Sequence, residues 1–228
     1  MKHFSLFFLI FCGLVFGQVP MQPKNPAVKD PFFNQTKPPG DPAEKVQHIH
    51  SDIFGVDPTK YGGNPYFSGN VQFLHKGSNL NADLVILYKD QNFIKAIGNV
   101  KLQNADGTVI TAGEMEYDGN TQRGIARKNV VLSDPEKTIK TETLYYDRIA
   151  NTAYFNTGGT ISDGQNVIYT KSATYFASTR TIDLSGNIKI DNSEYTVSGA
   201  NIKQNQATNT AEFFGPTTIT NKQNPANK

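Results

Sequence analysis

Two short sequences decide the fold: Gly98-Asn99-Val100, and Ala112-Gly113-Glu114-Met115-Glu116-Tyr117 a few residues later. The first, which we call the anchor, recurs with substitutions from residues 69, 98, 128, 159, 186 and 215, at spacings of 29, 30, 31, 27 and 29 residues. The second, which we call the aromatic motif, has the form small-x-x-apolar-x-aromatic and begins at residues 112, 141 and 170, with weaker copies at 51, 82 and 199. A fixed period in this range predicts stacked copies of one supersecondary unit.

Around each anchor, apolar and polar residues alternate. Ala96, Val100 and Leu102 are apolar, whereas Asn99 and Lys101 between them are polar. A period of two indicates strands with one buried face. Turn sequences such as 106–107, 118–120 and 163–164 separate the strands. The fold prediction is therefore all-β: an elongated antiparallel β-jelly roll (a β-taco) of about six repeats of about 29 residues, with roughly 11–12 strands.

The N-terminus has the features of an export signal. Lys2 precedes an apolar run over residues 4–16 that contains Cys12, the single cysteine. Thirteen residues fall short of the roughly 20 that a membrane-spanning helix needs. A lipoprotein anchor would need a small residue before the cysteine, and Phe11 stands there. We expect a cleaved signal peptide over 1–17, and hence an exported, soluble mature protein without disulfides.

The remaining chain divides by composition. Residues 18–45 hold 7 of the 12 prolines and are expected to form a linker. The repeats predict one domain over 46–220, and 221–228 is expected to be a disordered tail. With 22 Lys and Arg against 20 Asp and Glu, the net charge of +2 is too small to indicate a nucleic-acid partner.

The paired motifs resemble the OstA/LptA-like family of lipopolysaccharide-transport proteins, in which an Ala-Asp-x-Ala-x-Tyr-Asp pattern is followed by Gly-Asn-Val. Residues 112–118 and 141–147 carry the first element, and 69–71 and 98–100 carry the second. Residues 50–52, 57–61 and 63–66 are similar to the version of this domain in Bacteroidota-type bacteria. The sequence departs from the pattern at Lys128, which replaces the anchor glycine, and at 156–158, where residues are added.

The resemblance implies a non-enzymatic periplasmic carrier or bridge, which holds lipopolysaccharide acyl chains in an apolar groove and passes the lipid from inner to outer membrane. It implies no cofactor. As partners it implies lipopolysaccharide, like domains of inner- and outer-membrane transport proteins paired through edge strands, and a head-to-tail homo-oligomer. Alternation places these residues on the inner face as the expected groove lining: Val71, Phe73, Leu87, Val100, Leu102, Met115, Tyr117, Val130, Leu132, Leu144, Tyr146, Ile161, Tyr175, Ile188 and Ile190.

Other chemistry has weaker support in the sequence. His48 and His50 would put two imidazoles on one strand face, but a zinc site usually needs a third or fourth ligand, so no metal site is predicted. Glu114 and Glu116 have the spacing of paired carboxylates, and an outward, solvated position is the simpler interpretation. No catalytic residues are predicted.

Three alternatives stay open. In the first, the inner face is a sealed core that binds no ligand, because alternation requires burial but no cavity. In the second, the chain is a structural or adaptor repeat protein of the cell envelope that binds proteins through its edges. In the third, it is a carbohydrate-binding β-domain. Pro216 in the last anchor favours an edge or bulge position there.

Overall fold

The computed structural model describes residues 47–223, except 76, 105–106, 119, 122, 134, 136, 148, 151, 163, 177, 206–207 and 209. The expected signal peptide, the linker and most of the tail lie outside the described residues. The strands are β1 (Gln47–His50), β2 (Ile53–Val56), β3 (Pro65–His75), β4 (Ser78–Tyr88), β5 (Phe93–Gln103), β6 (Val109–Asp118), β7 (Arg123–Ser133), β8 (Thr138–Asp147), β9 (Thr152–Phe155), β10 (Gly159–Ser162), β11 (Val167–Thr170), β12 (Ser172–Phe176), β13 (Thr181–Asp191), β14 (Tyr195–Asn205) and β15 (Thr210–Asn221). Two short 3-10 turns, Tyr61–Gly63 and Lys89–Gln91, are the helical elements of the described part.

All fifteen strands belong to one antiparallel sheet. Three strand positions are interrupted: β1 and β2 both pair with β3, β9 and β10 both pair with β8, and β11 and β12 both pair with β13. Joining these halves gives a meander of twelve strand positions in chain order, each paired with the next. The prediction of an elongated antiparallel all-β repeat fold is confirmed. At about 4.8 Å per neighbour, the sheet extends roughly 50 Å across its strands.

Five of the six anchors are β-bulges; at the fourth, which begins at Gly159, the strand is divided into β9 and β10 instead. Gly98 and Asn99 both have positive φ, at 77° and 45°. The pairing of β5 with β4 shifts register at this point, so that two residues oppose the single residue Asp83. Glycine and asparagine adopt this backbone at the lowest cost, and the bulge bends the strand. The same shift occurs in the pairings of β3, β7 and β13, so the bulges form one continuous corner that divides the sheet into two arms.

In the first, second, third and fifth units, the second residue of the aromatic motif faces the bulge of the following strand. Asp52 and Asp83 accept hydrogen bonds from the side chains of Asn70 (3.1 Å) and Asn99 (2.9 Å). The two motifs therefore keep a fixed phase because they form the two sides of one corner. Each of the six sequence repeats supplies two strand positions, the second of which is bulged at the corner or, in the fourth repeat, divided into β9 and β10.

In the third unit, the glycine and the side chain that faces it lie on the opposite strands from those in the other units. Lys128 occupies the anchor glycine position with a φ of 70°, and Gly113 stands where the other units have a side chain. A Cβ added at Gly113 would lie 2.7 Å from the Cβ of Lys128. The corner therefore has room for one side chain, which either strand can supply.

Candidate functional site: the apolar interior

The inner faces of the two arms enclose the hydrophobic core. Of the fifteen residues expected to line the interior, Val71, Phe73, Leu87 and Val100 lie in a cluster at the N-terminal end. A larger cluster continues through the other units and contains Leu102, Val130, Leu132, Leu144, Tyr146, Ile161, Tyr175 and Ile188, with Ile190 packed against it. Met115 packs against both clusters, and Tyr117 is half-buried. Their burial agrees with the predicted inner face; whether they contact a ligand stays a prediction.

The two arms face each other across this interior. One small apolar cavity is lined by Ile139 and Ile161 from one arm, and by Leu144, Phe155 and Ile182 from the other. Most inner side chains are almost completely buried; Val130 and Leu132 are each 1% exposed. The interior of this structure is therefore packed, with the arms in contact.

Tyrosines stand at regular intervals on the inner face of one arm. The register places Tyr117 beside Gly124, Gly124 beside Tyr146, Tyr146 beside Ala153, and Ala153 beside Tyr175. A ring on every second strand position, with a small residue between, gives each ring room over its neighbour. Tyrosine combines an apolar ring with a polar hydroxyl and suits a boundary between an apolar interior and water.

Glu114 and Glu116 face outward, as predicted, but they are ion-paired rather than simply solvated. Glu114 accepts a hydrogen bond from Lys128 at 2.5 Å, and Glu116 accepts from Arg127 at 2.6 Å and from Lys95 at 2.8 Å. The bond from Lys128 lowers the pKa of Glu114. Burial alone raises the pKa of Glu116, but the bonds from Arg127 and Lys95 outweigh it and the pKa is lowered. A glycosidase acid requires a raised pKa, so this pair does not have that arrangement.

The prediction that His48 and His50 share one face is wrong. The pairing of β1 with β3 shifts register between the two residues, so that His48 stands opposite Phe73 and His50 opposite its neighbour Gln72. His48 packs against Phe67 and Phe73 with ring centroids 4.7 and 5.4 Å away, while His50 bonds to Asp52 at 3.2 Å. Over the part of the chain that the structure describes, no three His, Cys, Asp or Glu side chains are grouped to hold a metal ion.

Both ends of the sheet expose apolar residues. At the N-terminal edge Phe54 is 62% and Val56 58% exposed; at the C-terminal edge Phe213 is 41% and Ile219 52% exposed. Phe213 and Ile219 pair with the buried Ile202 and Val197, so they continue the inner face to the last strand. Among the described residues, β15 pairs only with β14, and β1 and β2 pair only with β3. Pro216 lies in this edge strand at a bulge, as its sequence position suggested.

Sequence reasoning missed two features. The anchor was interpreted as part of a plain strand, although a Gly-Asn dipeptide favours positive φ and was a usable signal for a bulge. Lys137 was overlooked, although the structure buries it to 5% exposure. Its sequence context, Asp134-Pro135-Glu136 immediately before it, gave no reason to expect burial.

Comparison with known proteins gives the following. A family model described as OstA-like protein matches residues 43–200. Among solved structures, the crystal structure of LptH, the LptA homologous periplasmic component of the lipopolysaccharide transport device from Pseudomonas aeruginosa, is similar. The match has 13% identity and a TM-score of 0.43, and covers 51% of this chain and 94% of that one. No curated protein matches the chain significantly. No helix in the described part of the chain is both long and apolar enough to cross a membrane.

Proposed function

The chain belongs to the OstA-like protein family, and on that premise we propose that it is a periplasmic carrier that binds the acyl chains of lipopolysaccharide between its two arms. The lipid then passes from the inner toward the outer membrane. The observation that carries this proposal is the apolar inner face, which runs through all six units and reaches the exposed side chains of both edges. A core that served folding alone would be closed by polar residues at the two edge strands.

The energetics favour a shielded route for such a lipid. Each methylene in water costs about 0.8 kcal/mol, so a 14-carbon chain costs on the order of 10 kcal/mol. The cavity lined by Ile139, Leu144 and Ile161 is small, so the arms would separate when a chain enters. Contacts between apolar arms are then exchanged for contacts between the arms and the chain. Since both are apolar, little burial is lost.

The free edges suit partners of the same fold. Because the meander has an even number of strand positions, β15 of one copy runs antiparallel to β1 and β2 of a copy stacked above it. The register of the internal β3–β4 pairing, Val71 with Ala82, would place Thr217 of the first copy opposite Ser51 of the second. Head-to-tail copies, or like domains of membrane-bound transport proteins, would in this way extend one interior.

Site-specific photo-crosslinking tests the carrier proposal. A photoreactive residue at Met115 or at Tyr117, both half-buried on the inner face, is expected to capture lipopolysaccharide on illumination of the purified protein. The matched control carries the same probe at Lys140, an exposed residue of β8 on the outer face. Equal labelling at inner and outer positions, or none, would contradict the carrier proposal.

The exposed apolar residues at the edges favour one second candidate, an envelope adaptor that binds proteins and no lipid. In that case the inner probes capture no lipid, while a probe at Phe54 or Phe213 still captures a protein partner or a second copy. Depleting the protein from cells separates the two as well. Lipopolysaccharide accumulates in the inner membrane if the chain is a carrier, and does not if it is an adaptor.

A further inference from the structure

Two tyrosines stack on the outer face of the sheet, on the side away from the apolar interior. Tyr145 of β8 and Tyr154 of β9 stand opposite each other, with ring centroids 4.7 Å apart and ring planes 8° apart. Their chain neighbours Leu144 and Ala153 are buried inward, so alternation directs both rings outward. Parallel rings this close must lie face to face, because rings side by side in one plane would overlap. The faces of the two rings therefore point across the strands.

This arrangement leaves one face of Tyr154 open. The first face lies against Tyr145, and the second is directed toward Thr174 of β12, the next residue in the register. A threonine side chain is too short to cover an aromatic ring, and Tyr154 is 38% exposed. Among the described residues, Tyr145 supplies the ring contact of Tyr154. An open tyrosine ring on a surface offers an apolar platform with a polar hydroxyl at its edge.

A carboxylate stands beyond the open face. The register continues from Thr174 to Asp183 of β13, which is two strand positions, or about 10 Å, from Tyr154. Asp183 is half-buried, and its Oδ1 atom has neither water contact nor a hydrogen-bond partner in the described part of the chain. A carboxylate oxygen in this condition costs free energy until a donor reaches it. A ligand with a hydroxyl group could supply that donor after a small rotation of the side chain.

The open ring and the carboxylate lie in the middle of one row of outward residues. The row consists of Lys95, Glu116, Ile125, Tyr145, Tyr154, Thr174, Asp183 and Lys203. Glu116 in this row is ion-paired with Lys95 and Arg127, whereas Oδ1 of Asp183 has no such bond. Tyr154 also belongs to the strand position at which the sequence adds residues 156–158. We call four of these residues the tyrosine platform: Tyr145, Tyr154, Thr174 and Asp183.

We propose that the tyrosine platform binds an uncharged pyranose ring in the sugar chain of lipopolysaccharide. The C–H face of the pyranose lies on the open ring of Tyr154 at about 4 Å, above Thr174. Hydroxyl groups at the edge of the pyranose then donate hydrogen bonds to the carboxylate of Asp183, and bonds of this kind are short and strong. The same carboxylate repels phosphorylated and acidic sugars, which is why the ring is an uncharged one.

The choice of this saccharide rests on the proposed carrier function. The strands that carry the platform on their outer side also line the interior cavity through Leu144, Ala153, Ala173 and Ile182. Tyr145 is two residues, or about 7 Å, from the end of its strand at Asp147. A lipid with its acyl chains between the arms can therefore bring its sugar chain around this end to the platform. The alternative is that the stacked tyrosines only cover the sheet and bind no ligand.

The test is a calorimetric titration of the full mature chain with the lipid-free oligosaccharide that mild acid releases from lipopolysaccharide. A second titration uses the disaccharide that muramidase releases from peptidoglycan. The variants are Tyr154→Ala, Tyr154→Phe and Asp183→Asn. The matched control is Tyr169→Ala, which removes a tyrosine that is 46% exposed on the outer face of the other arm. Circular dichroism and the urea midpoint establish whether each variant is folded.

The wild type is expected to bind the lipid-free oligosaccharide. Asp183→Asn should weaken this binding about tenfold, the effect of one hydrogen bond to a charged group, and Tyr154→Ala by about as much through the lost ring contact. Tyr154→Phe and Tyr169→Ala should bind as the wild type does. Because Asp183→Asn keeps the shape of the side chain, it tests the site even if Tyr154→Ala does not fold.

No binding to the wild type overturns the proposal, and so does a folded Asp183→Asn with unchanged affinity. An equal loss in Tyr169→Ala would show non-specific contact with exposed tyrosines and has the same consequence. Binding of the peptidoglycan disaccharide as tight as that of the oligosaccharide overturns the choice of saccharide. Failure of the carrier function has a different result: the probes at Met115 and Tyr117 capture no lipid, while oligosaccharide binding that depends on Tyr154 persists.

Discussion

The corner between the arms makes a quantitative prediction at Gly98. This residue has a φ of 77°, and a Cβ added there would lie 2.9 Å from both the Cβ and the Cγ of Asp83. Gly98→Ala therefore combines two costs. The left-handed backbone costs a residue with a Cβ about 1–2 kcal/mol, and relieving the overlap costs about 1–3 kcal/mol more. We expect a total loss of about 2–5 kcal/mol in the free energy of unfolding.

A control and a rescue separate the two costs. Gly107 has a φ of 91°, but nothing lies within 4 Å of an added Cβ, so Gly107→Ala should cost only the backbone part, about 1–2 kcal/mol. The double variant Gly98→Ala with Asp83→Gly copies the third unit, where Gly113 faces Lys128. In that background Gly98→Ala should also cost only about 1–2 kcal/mol, because the overlap is gone.

Urea unfolding followed by circular dichroism, arranged as a double-mutant cycle, measures these values. The expected coupling between positions 98 and 83 is about 1–3 kcal/mol in favour of the double variant. Equal losses for Gly98→Ala and Gly107→Ala, or additive effects of the two corner substitutions, would refute the view that the corner holds a single side chain.

Three further predictions follow from the interior, the outer face and the edges. Leu132→Ala should lower the free energy of unfolding by about 2–5 kcal/mol, because Leu132 is 1% exposed; a loss below 1 kcal/mol would mean that the arms are not packed together. The pKa of Glu116 is lowered in the folded state, where burial is outweighed mainly by the bond from Arg127, so its contribution to stability is present above its ordinary value of 4.5 and is lost as the pH falls below it. Urea midpoints at pH 7 and pH 3 should therefore differ less for Glu116→Gln than for the wild type. A chain carrying Ser51→Cys and Thr217→Cys should form disulfide-linked oligomers under oxidation, visible on a non-reducing gel, whereas each single variant forms dimers at most.

Much of the fold could be predicted because the repeat states one pattern six times. The period-two alternation identified the inner face, and Val130, Leu132 and Ile188 are all nearly completely buried as expected. The bulge was missed because it shifts the pairing register but leaves the even spacing of the apolar residues unchanged. Val100 follows Ala96 by an even number of residues, so the alternation continues across the corner as if the strand were straight. The partner of Lys128 was equally hidden, since a register is needed to see that Gly113 faces it.

Burial and pairing that depend on the tertiary structure could not be predicted from the residue pattern of a single strand. Lys137 belongs to a turn sequence with proline and two acids, which predicts exposure. Its burial is seen only in the folded structure. The error at His48 and His50 has a similar origin, because an irregular pairing in the short edge strand β1 separates residues that simple alternation puts together.

The architecture separates the residues that shape the sheet from those that can select a ligand. The corner needs only one side chain between neighbouring strands, and the units meet this need with Asp83, Lys128 or Lys171 at little consequence for the interior. Tyr117, Tyr146 and Tyr175 lie four residues from the corner, so a substitution at these positions leaves the corner unchanged. Units can therefore differ there and still stack. In this chain the central units carry tyrosine at these positions, while apolar side chains are exposed at the two ends of the sheet. Under the proposed carrier function, a second copy would continue the interior at these ends, and the distance over which a lipid is shielded would depend on the number of stacked units.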